Sequence, residues 1–205
     1  MKTATSRKLV RGVGVNDAGY PVTIEEEIGG RRKVVWRCPF YLAWTHMLNR
    51  CYSAAVHARH PAYIGCSVSA EWLTFSMFRA WMTKQDWEGK HLDKDLLLPG
   101  NRVYGPDACV FISPALNLFL TDHAAARGDW PIGVDLYKGK YRANCRNPLT
   151  GKKEYLGQFD SPETAHEAWR KRKHELACMY AGQQIDQRIA AALRTRYSKP
   201  VGDQQ

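Results

Sequence analysis

Two stretches of this chain bring together side chains of types that do chemistry in concert. In the first, Lys140, Arg142, Asn144 and Arg146 alternate with Tyr141, Ala143 and Cys145. A period of two is that of a β-strand, whose successive side chains point to opposite faces. One face is therefore apolar and the other cationic or amide-bearing. Lys153 and Tyr155 share a face of a return strand. Arginine and lysine neutralise phosphates and release counterions, and arginine and asparagine also form paired hydrogen bonds to base edges. The same pattern equally suits the solvated side of a half-buried sheet. In the second stretch, Asp93 falls on a strand expected over 92–98, and Asn117 on a helix opened by Pro114. A strand acid and a helix amide converging on one point offer oxygen ligands of the kind that Mg²⁺ or Mn²⁺ prefers. A salt-bridged Asp93 and a capping Asn117 are the alternative use. Cys38, Cys51, Cys66 and Cys109 could hold a structural Zn²⁺, although no pair has the short C-x-x-C spacing. Small buried thiols explain them as well.

These groups need elements to position them. Asn147, Pro148 and Gly151 supply a turn after the cationic strand. Ser161 and Pro162 open a helix in which Ala165, Ala168, Trp169, Leu176, Met179 and Tyr180 follow helical spacing. That helix can cover the apolar face of a three-stranded antiparallel sheet. Upstream, Val22 and Ile24, the Gly29-Gly30 turn and the segment 31–36 predict a β-hairpin. Tyr41, Trp44, Met47 and Leu48 place a helix over 39–52, followed by a loop over 53–61. Trp72, Phe75, Phe78, Trp81 and Met82 form an aromatic stripe on a helix from about Ser69 to Met82, a core-facing pattern. A last helix is expected from Gln184 to Arg196. Segment 127–131 reads as a linker, His57, His60 and His123 belong to no motif, and residues from Ser198 onward are expected to fray.

The chain of 205 residues is long enough for one or two domains, and its 44% hydrophobic content supports a folded core. A formal charge of +10 points to a polyanionic partner, nucleic acid or an anionic surface. No apolar run approaches the ~18 residues of a membrane span, and the first residues lack a signal-peptide core. A cytoplasmic protein without membrane association is expected, with its 6 cysteines reduced. No sequence feature identifies a protein partner.

The segment from Gly133 to Ala168 resembles the apetala-two/ERF-type DNA-binding domain. The likeness is carried by Gly133-Val134, Lys140-Tyr141-Arg142-Ala143, Arg146-Asn147-Pro148, Tyr155-Leu156-Gly157-Gln158-Phe159-Asp160, and the helix with Ala165 and Ala168. That resemblance implies double-stranded DNA read from the sheet by Lys140, Arg142, Asn144, Arg146, Lys153 and Tyr155. The family usually has arginines just after the Gly-Val pair, where Asp135 and Leu136 stand here.

A longer frame is similar to bacteriophage proteins labelled HNH endonucleases. It comprises Trp44-x-x-Met47-x-x-Arg50-Cys51-Tyr52, Tyr63, Val68, Trp72, Phe75, Phe78, Leu92-Asp93-Lys94-Asp95, Tyr104-x-Pro106-Asp107-x-Cys109 and Asn117. That likeness implies a ββα nuclease fold in which Asp93 and Asn117 hold the metal. Lys94 stands where the family's general-base His belongs, and Ala108 where its central Asn belongs. Lysine side chains ordinarily stay protonated near neutral pH and make poor bases; His91 is a nearby substitute. The resulting expectation is an α+β protein of bacterial host cytoplasm. Residues 1–126 form a degenerate HNH-like domain, 127–182 an apetala-two/ERF-type domain, and 183–205 a C-terminal helix and tail. The expected function is DNA binding. The alternatives are an active metal-dependent homing-type endonuclease or nickase, with Asp93, Lys94 and Asn117 catalytic, and a non-enzymatic inhibitor of a host protein.

Overall fold

The computed structural model describes residues 9–121 and 129–198. The architecture is α+β, and the backbone divides into two compact units, 1–112 and 113–205. The domain boundary expected at 126/127, the start of the linker and His123 lie outside the described residues, as do the terminal residues beyond 198. Among the described residues, no helix is long and apolar enough to cross a membrane.

The first unit opens with an antiparallel hairpin of β1 (Thr23–Ile28) and β2 (Arg31–Arg37). Helix α1 (Pro39–Tyr52) begins at a proline, whose missing N–H costs nothing at a helix start. It buries Trp44, Met47, Leu48 and Cys51. Helix α2 (Ala54–Arg59) occupies the stretch expected as a loop; it buries nothing, so no apolar period announces it. The expected helix from Ser69 to Met82 is broken. A 3₁₀ turn at Ala70–Leu73 precedes α3 (Phe75–Met82), and Thr74 between them is extended. The cause is distant in sequence: Val15 donates to the Leu73 carbonyl and accepts from the Phe75 amide, a bridge that holds Thr74 out of the helix. The aromatic stripe does form the core, with Trp72, Phe75, Phe78 and Met82 buried against α1. Trp44 donates its indole N–H to the Trp72 carbonyl at 2.7 Å, so this large ring is buried with its polar atom satisfied. Two small ladders complete the unit. Strand β3 (Ser67–Val68) pairs parallel with β5 (Val103–Tyr104), and β4 (His91–Asp93) pairs antiparallel with β6 (Val110–Ile112).

The second unit begins with α4 (Pro114–Leu120), capped by the Ser113 hydroxyl. Strands β7 (Val134–Tyr137), β8 (Lys140–Arg146) and β9 (Lys153–Phe159) form one antiparallel sheet in the order β7-β8-β9. A two-residue turn, Lys138-Gly139, joins the first two strands with φ of 49° and 76°. Positive φ at both positions is the geometry that matches the twist of a tight hairpin. Helix α5 (Pro162–Ala181), capped by Ser161, lies on one face of the sheet and packs Ala165 against Val134 and Ala143. Gly133 sits directly over Trp169: an added Cβ would stand 2.0 Å from the ring's Cδ1. Helix α6 (Gln187–Arg196), capped by Asp186, packs on α5. It starts later than the Gln184 expected from sequence because the capping side chain is Asp186. Met179, expected on the packed face of α5, is instead exposed. Lys173 is buried on α5; its ammonium donates to the Phe119 carbonyl at 2.6 Å and lies 3.7 Å from the centre of the Phe119 ring. That contact anchors α4 within this unit.

Candidate nucleic-acid interface

The register of the sheet decides which side chains share a face. Within β8, Ala143 and Cys145 are fully buried toward α5, which turns Lys140, Arg142, Asn144 and Arg146 outward. On β9, Tyr155 stands opposite Asn144 and Lys153 opposite Arg146. The six side chains singled out in the sequence therefore lie on one outer face. The register adds residues that the sequence pattern did not reveal. Asp135 and Tyr137 of β7 stand opposite Arg142 and Lys140, and Gln158 of β9 stands opposite Arg142 on the other side. The register shifts between Ala143 and Asn144, leaving Leu156 as the extra residue of a β-bulge, a feature that sharpens local twist.

Charge on this face is uneven. Arg142 donates from Nε to Asp135 at 2.6 Å, and its guanidinium carbon lies 4.2 Å from the centre of the Tyr137 ring. The Asp135 bond raises the Arg142 pKa, which keeps the cation charged. Lys140 pairs with Asp160, whose carboxyl is held below its usual range by that bond. Arg146 and Lys153 are different. They face each other across the ladder, both exposed, and neither has an ion-pair partner among the described residues. Like charges directly opposite on a sheet repel, so this end of the face favours an anion between them. Tyr155 is 61% exposed, an aromatic ring in water beside these cations.

The opposite side of the sheet holds the fold. Glu154 accepts from Arg172 Nε of α5 at 2.7 Å and from Asn147 Nδ2 at 2.8 Å. Those bonds, Arg172 first, pull the Glu154 carboxyl down to about 2. The buried Asn147 also receives the amides of Leu149 and Thr150, which fixes the β8–β9 loop.

Asp93 ends β4, and its Oδ1 accepts from the amides of Asp95 at 2.9 Å and Leu96 at 2.7 Å. The carboxylate thus turns the chain, which is why the strand expected over 92–98 ends at Asp93. Lys94 is buried; its ammonium donates to the Asp95 carboxylate and to the Asn101 carbonyl at 2.8 Å. Asn101 closes the same loop by donating to the carbonyls of Lys94 and Val103. Arg50, from α1, donates to the Leu92 carbonyl at 3.2 Å. Burial opposes its charge, but Tyr104, Tyr63 and Asp93 more than offset that, and its pKa is raised. Ala108 is buried and His91 is exposed on β4. Asn117 lies on α4, in the second compact unit, while Asp93 belongs to the first. The sequence places a turn at Pro99-Gly100-Asn101, and Asn101 does hold that loop, but nothing in the sequence pattern reveals its bonds back to Lys94 or the role of Arg50.

Cys38, Cys51, Cys66 and Cys109 are all buried free thiols. Burial pushes the Cys51 and Cys109 thiols up to about 12, with nearby Cys66 adding to the effect at Cys51. A tetrahedral zinc asks for four donors, and among the described residues no three His, Cys, Asp or Glu side chains come together as a metal-holding group. No family model matches this chain, and neither a curated protein nor a solved structure gives a significant match.

Proposed function

We propose that the chain binds double-stranded DNA through the outer face of β7–β9, as a phage-type DNA-binding protein that carries a degenerate, nuclease-like scaffold N-terminal to that sheet. One observation carries this reading: Arg146 and Lys153 are exposed and opposed without an acidic partner among the described residues, on the same face as Lys140, Arg142, Asn144 and Tyr155. Three strands spaced about 4.8 Å apart span about 10 Å between their outer axes, comparable with a major groove about 12 Å wide. Bound there, Arg146 and Lys153 contact phosphates, while Arg142 and Asn144 meet base edges. The scaffold reading of the first unit rests on two uses of side chains. An Asp93 oxygen already receives two turn amides, and the Lys94 ammonium is buried against Asp95 and the Asn101 carbonyl. A group so held is poorly placed to take a proton from water.

The test pairs a duplex gel shift with incubation of supercoiled plasmid in Mg²⁺ or Mn²⁺. The protein is expected to shift duplex DNA without nicking it, and the double variant Arg142→Glu, Arg146→Glu to lose most of that binding. Unchanged affinity in the variant rejects the sheet face. Nicking that disappears in Asp93→Ala establishes the endonuclease instead.

A further inference from the structure

A carboxylate on a face that meets phosphates works against binding, yet Asp135 stands there on the edge strand β7, opposite Arg142. Its two oxygens serve two neighbours. Oδ1 accepts from Arg142 Nε at 2.6 Å, and Oδ2 accepts from Asn144 Nδ2 at 3.3 Å. The Tyr137 ring, 4.2 Å from the guanidinium carbon, holds the same group from another side. Both Nη groups of Arg142 are left without a partner among the described residues. An arginine distinguishes guanine by two parallel N–H bonds to O6 and N7, which demands a fixed guanidinium plane. An asparagine distinguishes adenine only if its amide is turned the right way round. The bond to Asp135 sets that turn, because only the nitrogen end of Asn144 can donate to a carboxylate.

We propose that Asp135 is a specificity-determining positioning residue. It holds Arg142 to read a guanine edge and orients Asn144 to read a neighbouring adenine, lowering overall DNA affinity while raising selectivity. The inference rests on the DNA-binding reading above, and it explains why an acid occupies a basic face.

The experiment begins with selection of duplexes from a randomised library by the full-length wild-type chain. Asp135→Ala and the near-isosteric Asp135→Asn are then compared with wild type by fluorescence anisotropy at one salt concentration. The probes are the selected duplex, the same duplex with its guanine pair replaced, and a random-sequence duplex. Wild type is expected to prefer the guanine-containing site. Both variants are expected to bind the random duplex more tightly than wild type, and the guanine preference to fall about tenfold in Asp135→Ala. Thermal melting of Asp135→Asn should match wild type, which separates positioning from folding. A guanine preference retained in both variants overturns the inference, as does a wild type that binds duplexes without preference. A wild type that binds no duplex at all overturns the underlying DNA-binding reading instead, a result distinct from the other two.

Discussion

Replacing Gly133 with alanine tests whether the sheet is clamped to its helix as described. Two separate costs apply. The backbone at Gly133 has φ of 83°, a region where an L side chain costs about 1–2 kcal/mol. The new methyl would also lie 2.0 Å from Trp169 Cδ1 and 2.2 Å from Cγ, so the ring or β7 must move. Forcing extra carbon into a packed site costs about 1–3 kcal/mol. The sum is about 2–5 kcal/mol, a large part of the ~5–15 kcal/mol that holds a domain folded. Gly139 provides the matched control. Its φ is 76°, but nothing lies within 4 Å of an added Cβ, so Gly139→Ala carries the backbone cost alone. Urea unfolding of wild type and both variants, followed by far-UV circular dichroism, gives the two losses. Because Gly133 also accepts the Asn144 amide at 2.8 Å, native-state hydrogen exchange at Asn144 should rise in Gly133→Ala. Equal losses in the two variants, or a Gly133→Ala loss below about 1 kcal/mol, would refute the clamp.

Other perturbations follow from the same geometry. Alanine at Arg146 and Lys153 together should weaken every duplex alike and reduce the slope of log affinity against log salt by about 0.9 for each lost phosphate contact, measured by anisotropy between low and moderate salt. Glu154, with its carboxyl at about 2 against an ordinary 4.5, contributes stability that is complete above pH 4.5 and is lost as pH falls toward 2. Glu154→Gln should therefore be less stable than wild type at neutral pH and show a shallower loss on acidification, read from thermal melts across that range. Titration of the native protein with an aromatic disulfide reagent should modify Cys178 rapidly and the five buried thiols only after unfolding.

The parts of this fold legible in the sequence are those set by local periodicity. The alternation along β8 identified the outer face because a seven-residue strand has room to show its period. Ser161-Pro162 marked a helix start because capping chemistry acts within one turn. What was hidden depends on partners remote in the chain. Val15 splits the segment 70–82, and nothing near Thr74 announces it. Asp93 shortens its strand because a side-chain oxygen competes with the ladder for two amides. Lys173 reads as a solvated helix residue until the Phe119 carbonyl is seen to receive its ammonium. Asp135 was visible as a departure from the apetala-two/ERF-type pattern that the segment resembles, but its use is set by cross-strand register, which a four-residue strand such as β7 does not reveal by itself.

The sheet divides its labour by face. Ala143, Cys145 and the Glu154–Arg172–Asn147 cluster hold the sheet to α5 from one side, while 140, 142, 144, 146, 153 and 155 project from the other. Exchange at those outward positions touches no core contact, so their identities can drift while the scaffold persists. A library randomised there, with 133, 143, 147, 154 and 172 kept constant, should yield many folded members with different binding preferences. The segment is in that sense a ready frame for engineering.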